Sequence, residues 1–170
     1  CGMPRSGTSW LGQIFDSSPN VAFRMEPLFA YRFKNVINEN STKADINRFF
    51  RDVYITGDDF IHQRENRDRG IYHTFNKTAE PDFLVIKTTR HHNLLEHYLD
   101  MVDCLDIIAI VRHPCAVINS WIKTDREFAD KGCSEPDDWR SGKCRKDGEG
   151  EFWGLDDWLS VTKQHIDLSQ

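Results

Sequence analysis

The stretch Gly2-Met3-Pro4-Arg5-Ser6-Gly7-Thr8-Ser9 decides how the rest of the chain is read. It has the spacing of a phosphate-binding loop: a Gly, four residues, a second Gly, then hydroxyl side chains where a helical pattern begins. In the nucleotide-hydrolysing form of such a loop, a Lys follows the second Gly and reaches the β- and γ-phosphates. Here Thr8 holds that place, and the cation stands earlier, at Arg5. Backbone amides at a helix N-terminus can still cradle an anion, aided by the positive end of the helix dipole. Ser6, Thr8 and Ser9 add hydroxyl donors, and Arg5 adds a forked guanidinium suited to oxyanions. An ordinary Gly-Pro turn leading into a capped helix has the same spacing. The missing Lys argues against a kinase or nucleotide hydrolase, and against a requirement for Mg²⁺.

A loop of this kind normally follows a buried β-strand, and only Cys1 precedes it here. The expectation is therefore a piece of a longer protein: a single domain over residues 1–170 that lacks its first strand. Downstream, strand-like and helix-like stretches alternate, the mark of an α/β fold with a parallel sheet flanked by helices. Thr8 to Ser17 reads as a helix, Val21 to Arg24 as a short strand, and Phe29 to Ile37 and Lys43 to Tyr54 as helices. The polar, poorly periodic run from Thr56 to Asp82 reads as a surface excursion. Phe83-Leu84-Val85-Ile86 reads as a buried parallel strand, Leu94 to Leu105 as a helix, and Ile107 to Val111 as the strongest strand. Ala116 to Arg126 follows as a helix, with Pro114 near its first turn. Cys133 to Gly150 reads as a loop and Phe152 to Leu168 as a final amphipathic helix, in which Trp153 and Trp158 are core residues.

Composition narrows the function classes. In 170 residues, 39% are hydrophobic and 29% charged, which supports a packed core and excludes wholesale disorder. The net charge of −5 argues against a nucleic-acid partner bound by phosphate neutralisation. No apolar run approaches the length of a membrane span. The five cysteines contain no C-x-x-C pair, so their spacing speaks against a structural zinc site and no metal ligands are assigned.

The word Pro4-Arg5-Ser6-Gly7-Thr8-Ser9-Trp10-Leu11 resembles the 5′-phosphosulfate loop of the sulfotransferases, P-[KR]-S-G-[TS]-[TS]-x-L, without a mismatch. Those enzymes use 3′-phosphoadenosine 5′-phosphosulfate (PAPS) and release PAP. A second word, Arg112-His113-Pro114-Cys115-Ala116-Val117-Ile118-Asn119-Ser120, resembles their 3′-phosphate motif, an Arg at a strand end and a Ser eight residues later on the next helix. A strand end and a helix N-terminus meet at the crevice where α/β sheets bind ligands. The resemblance implies that Arg5, Ser6, Gly7, Thr8, Ser9 and Trp10 hold one end of the nucleotide, and Arg112 and Ser120 the other. Trp10 stacks on the adenine in this reading, or packs in the core as an ordinary helix residue. The family's later segments, which close over the nucleotide, find no counterpart, so the chain is expected to be truncated at both ends.

The same resemblance points to catalytic groups. Met25-Glu26-Pro27-Leu28-Phe29 is similar to an E-P-L word of carbohydrate sulfotransferases, and tyrosylprotein sulfotransferases carry a catalytic carboxylate nearby. Glu26 is then the candidate base for the acceptor hydroxyl; its bland alternative is a surface salt bridge or a partner for Arg5. Lys87 ends the strand Phe83–Ile86 as the family's Lys beside the leaving phosphate does, and Arg5 assists with charge. Relatives follow that Lys with Thr-His, whereas this chain has Thr88-Thr89. His91 and His92 are reserve bases, expected to be exposed at a helix start, and His113 is structural.

Asn40-Ser41-Thr42 and Asn76-Lys77-Thr78 are N-glycosylation sequons, and Cys133 and Cys144 bracket a polar loop in a way that suits a disulfide. Cys104 and Cys115 sit on apolar stretches and are expected to stay free. Together with the E-P-L word, these features lead to an expectation of a Golgi-lumen glycoprotein. Its membrane association would come only through an anchor upstream, as in a type II protein. The acceptor is expected to be a carbohydrate. The alternatives are a sulfotransferase for a phenol, alcohol or peptide tyrosine, including a cytoplasmic one, and a catalytically silent nucleotide-binding domain.

Overall fold

Glycine at position 12 fixes how the first helix meets the sheet. A Cβ there would lie 2.8 Å from the Phe23 ring, so only a hydrogen lets the two elements approach this closely. The structure, a computed structural model, describes residues 1–148 and 150–170. It divides into two compact units. One comprises Cys1–Thr8, Thr89–Asn93 and Asp106–Gln170; the other comprises Ser9–Thr88 and Leu94–Leu105.

The second unit holds the sheet. Helix α1 (Thr8–Asp16) enters it at Ser9, and β1 (Val21–Met25) follows. Strand β2 (Phe83–Lys87) pairs with β1 in parallel, from Val21↔Phe83 to Met25↔Lys87. Parallel pairing demands a long crossover, and the chain supplies it with α2 (Lys43–Ile55), α3 (Arg64–Asp68) and the loops around them. Thr42 caps α2 through a capping box, its side chain accepting from Asp45 N while the Asp45 carboxylate accepts from Thr42 N. The apolar face of α2 then buries Ile46, Phe49 and Val53 against Phe33, Ile61, Leu94 and Tyr98. Arg24 leaves β1 to donate to Val53 O at 2.9 Å and to Tyr54 O, closing the carbonyl end of α2. The Thr56–Asp82 excursion is tied down at its middle. The Asp16 carboxylate, 2% exposed, receives Arg67 at 2.7 Å and Lys77 at 3.0 Å.

Several expectations are corrected in this unit. Phe29 to Ile37 is not a helix; the chain makes two 3-10 turns, Pro27–Phe29 and Tyr31–Phe33, after Glu26 turns left-handed at φ 44°. Strand β2 is parallel as expected but not buried: Phe83 is exposed and the other four residues are half-covered. Among the described residues β1 is its one neighbouring strand, so its other edge has no strand beside it. The Leu94–Leu105 helix is shorter, α4 running Leu95–Met101 after a 3-10 turn at His92–Leu94.

The first unit is built on α5 (Pro114–Ile122), α6 (Glu135–Ser141) and α7 (Gly154–Asp167). Pro114 opens α5, where a missing N–H removes no helix bond. Ile118, Trp121, Phe128 and Trp153 form its core, with Trp121 and Phe128 edge to face at 5.0 Å. Cys133 and Cys144 are joined as expected, with Cα atoms 5.3 Å apart, and they border this core. Between them the expected loop contains α6 and a 3-10 turn at Lys143–Arg145, because Ser134-Glu135-Pro136 is itself a helix start. Ile107 to Val111 forms no assigned strand, and Ile108 and Val111 are about half exposed. Among the described residues its backbone pairs with Cys1: Cys1 N donates to Ile108 O at 2.7 Å and Ile110 N to Cys1 O at 2.9 Å. Cys104 and Cys115 are free, but both are exposed rather than seated in apolar surface.

Candidate functional site

A candidate anion-binding site lies in the first unit. A Cβ at Gly2 would meet Ile110 O at 2.6 Å, so glycine lets the loop start flush against the 107–111 segment. The loop then turns tightly, with Ser6 N donating to Met3 O at 3.1 Å and left-handed backbone at Arg5 (φ 69°) and Gly7 (φ 99°). Left-handed geometry strains a non-glycine residue, and such strain concentrates at functional sites. Helix α1 begins at Thr8, and the N–H groups of its first turn have no partner inside the helix. Ser6 is 4% exposed, and its hydroxyl has no hydrogen-bond partner. A buried orphan hydroxyl beside open amides fits an oxyanion that supplies the missing bonds.

The second word folds onto the first. Arg112 Nη1 donates to Arg5 O at 3.0 Å, and Arg5 Nε donates to Ser120 Oγ at 3.2 Å. Ser120 lies on α5, whose N-terminal Pro114 follows Arg112 and His113. Trp158 of α7 donates to Arg112 O at 3.0 Å and holds that turn from behind. Thus Arg5 comes together with Arg112 and Ser120, although each is more than a hundred residues from it in sequence. Glu127, which sequence reasoning missed, lies 3.5 Å from Arg5 Nη1 and balances its charge. No spacing rule could have marked it, since it follows α5 in a 3-10 turn.

The second unit carries an acid–base pair. The register aligns Met25 with Lys87, so the residues at the two strand ends stand side by side. Glu26 N donates to Lys87 O at 2.8 Å, and Lys87 Nζ donates to Glu26 Oε1 at 2.8 Å. Thr88 Oγ1 donates to the other carboxylate oxygen at 3.2 Å, a partner the sequence reading did not name. The two charged side chains are 6% and 11% exposed, so this is a buried ion pair and not the surface salt bridge offered as the alternative.

Other expectations shift. Trp10 is 69% exposed, which removes its reading as plain core packing. His92 does open the 3-10 turn before α4, but it is 0% exposed, and His91 is half-buried. Trp153 is core at 4% exposed, while Trp158 is only partly covered.

A protein-family model described as Sulfotransferase family matches residues 1–145, and the chain belongs to that family. No curated protein and no solved structure matches it. Sulfotransferases of this kind use PAPS, and the enzyme transfers a sulfuryl group from it to an acceptor hydroxyl. The P-loop-type fold of the family agrees with the loop, helix and parallel strand pair described above.

Proposed function

We propose that this sulfotransferase acts on a carbohydrate hydroxyl in the Golgi lumen, with Arg5, Ser6, Gly7, Thr8 and Ser9 on the 5′-phosphosulfate of PAPS. Arg112 and Ser120 take the 3′-phosphate, and the exposed Trp10 offers a ring face to the adenine. The observation that carries the nucleotide assignment is the contact of both phosphate words at Arg5, through Ser120 Oγ and Arg112 Nη1. When bound, PAPS supplies an activated sulfuryl group whose sulfur–oxygen bond to phosphate breaks as the acceptor oxygen bonds to sulfur. Glu26 takes the proton of the acceptor hydroxyl, and Lys87 and Arg5 provide positive charge for the phosphate that departs with the electron pair.

The carbohydrate reading is supported by the Glu26-Pro27-Leu28 word and by the aromatic surface that follows it, with Phe29 50% and Tyr31 97% exposed. Aromatic faces with a few placed polar groups are the usual lining of small-molecule sites. The lumenal reading is supported by the Cys133–Cys144 disulfide and by the exposure of both sequon residues, Asn40 and Asn76. Purified protein offered labelled PAPS and an array of glycans, phenols and tyrosine peptides tests the acceptor class. Transfer confined to glycans is expected, and transfer confined to phenols or peptides would overturn it. Expression in a secretory host with glycosidase digestion tests the compartment: a mass shift at Asn40 or Asn76 is expected.

A further inference from the structure

We propose that Cys1, His92 and His165 bind a zinc ion, a site independent of the nucleotide and acceptor chemistry. The three residues come from the start of the phosphate loop, the segment after β2, and α7, and all belong to the first unit. One donor atom of each lies within 4.8 Å of the other two. Cys1 Sγ is 3.7 Å from His165 Nε2. Zinc bonds of about 2.3 Å to sulfur and about 2.0 Å to nitrogen, at the tetrahedral angle, put two such donors about 3.6 Å apart. The observed gap already has the width that the ion needs.

The surroundings are those of a built site. His92 is 0% and His165 7% exposed, and their rings stand at 65° with centroids 5.2 Å apart, so both are fixed by packing. Phe152 closes the other side of His92 edge to face at 5.1 Å, and Gln164 Nε2 holds the His92 carbonyl at 2.9 Å. His165 turns Nε2, not its buried Nδ1, toward Cys1 Sγ, so Nε2 is the nitrogen placed to ligate. Cysteine thiolate with two imidazoles is a borderline-soft donor set that suits zinc over calcium or magnesium. Three protein ligands leave a fourth position for water. Among the described residues a second group, Cys133, Asp138 and Cys144, has both sulfurs tied up in the disulfide. Zinc at Cys1 would tie the phosphate loop to α7, the helix that also supports Arg112 through Trp158.

The test is metal content and cobalt spectroscopy on the whole purified chain. About one zinc per chain is expected after dialysis, and Co²⁺ replacement should give a thiolate-to-cobalt charge-transfer band together with tetrahedral d–d bands. Cys1→Ser should abolish the charge-transfer band, and His165→Gln should weaken zinc binding by more than the 10–100-fold typical of outer-shell changes. The exposed His73→Gln should leave both unchanged. Should the variants fail to fold, alkylation of the wild-type chain decides: zinc should protect Cys1 and leave Cys104 and Cys115 reactive. Absence of stoichiometric zinc, a charge-transfer band that survives Cys1→Ser, or no protection of Cys1 would overturn the proposal. Cu(I) bound in place of zinc would overturn the choice of ion as well.

Discussion

Lys87 Nζ lies 2.8 Å from Glu26 Oε1, with both side chains nearly removed from solvent and each carried by the end of a parallel strand. Their pairing has consequences for activity and for stability. Glu26→Gln keeps the shape but removes the base, turns one acceptor oxygen into an N–H donor and leaves the buried Lys87 ammonium without its counter-charge. It should lower kcat by about 10²–10⁴-fold, the usual range for a positioned base, and leave PAP affinity nearly unchanged. Lys87→Met, by contrast, strands a buried carboxylate, and breaking such a pair from one side costs about 3–5 kcal/mol. Urea unfolding should report that loss, and a Lys87→Met chain of normal stability would show that the pair is dispensable to the fold.

Arg112 donates to the Arg5 carbonyl and keeps further guanidinium donors for an anion. Arg112→Ala should weaken PAP binding by about 2–3 kcal/mol through the loss of charged hydrogen bonds. Calorimetry with PAP and with ATP checks it. Arg112→Ala binding PAP normally, or ATP binding as tightly as PAP, would contradict the nucleotide assignment.

The Cys133–Cys144 bond closes a loop of sequence separation 11 beside the Trp121–Trp153 core. By the chain-entropy model, cross-linking a loop of about 12 residues contributes roughly 3 kcal/mol. Reduction, or the Cys133→Ser, Cys144→Ser double variant, should lower unfolding stability by about that amount. An unchanged midpoint would mean that α6 and the core hold this segment without the link.

Stability should also fall on acidification, through His62. Burial holds its imidazole below the ordinary value of 6.5, against the pull of the Thr56 carbonyl, and Arg24, Arg64 and Arg67 push the same way. A base kept neutral in the folded chain still protonates in the unfolded one, so the unfolded state gains protons first as the pH drops. The contribution is therefore intact above pH 6.5 and is lost progressively below it. Urea midpoints taken from neutral to mildly acidic pH should slope downward, and His62→Gln should flatten that slope.

What could be read from the residues alone was local or short in range. Helix α1, α2 and α7 and the strands β1 and β2 each carry a clear period of apolar residues, and the structure forms them nearly where expected. Arg5, Arg112 and Ser120 were legible because each belongs to a word of fixed spacing, and they do meet. Ile107 to Val111 was misread because an apolar, β-branched run needs a paired neighbour to become a strand, and among the described residues its backbone bonds reach Cys1 without forming a ladder. Phe29 to Ile37 was misread because Pro27 and the left-handed Glu26 set the turn before helical periodicity can act. The pairing of Arg5 with Glu127, and the gathering of Cys1, His92 and His165, depend on contacts across the fold that no spacing encodes.

The alignment of Met25 with Lys87 also makes strand pairing a quality check on the finished protein. Side chains alternate faces along a strand, so a slip of one residue would turn Ile86 toward Glu26 and Lys87 away. A molecule misaligned in this way would keep its helices and much of its core, and gross measures of foldedness would pass it. On the roles proposed for Glu26 and Lys87 it would nonetheless be inert, with a buried carboxylate facing an aliphatic chain. Preparations of this enzyme are therefore better graded by titrating active sites than by spectroscopy, because a single step of offset separates a working molecule from a well-folded impostor.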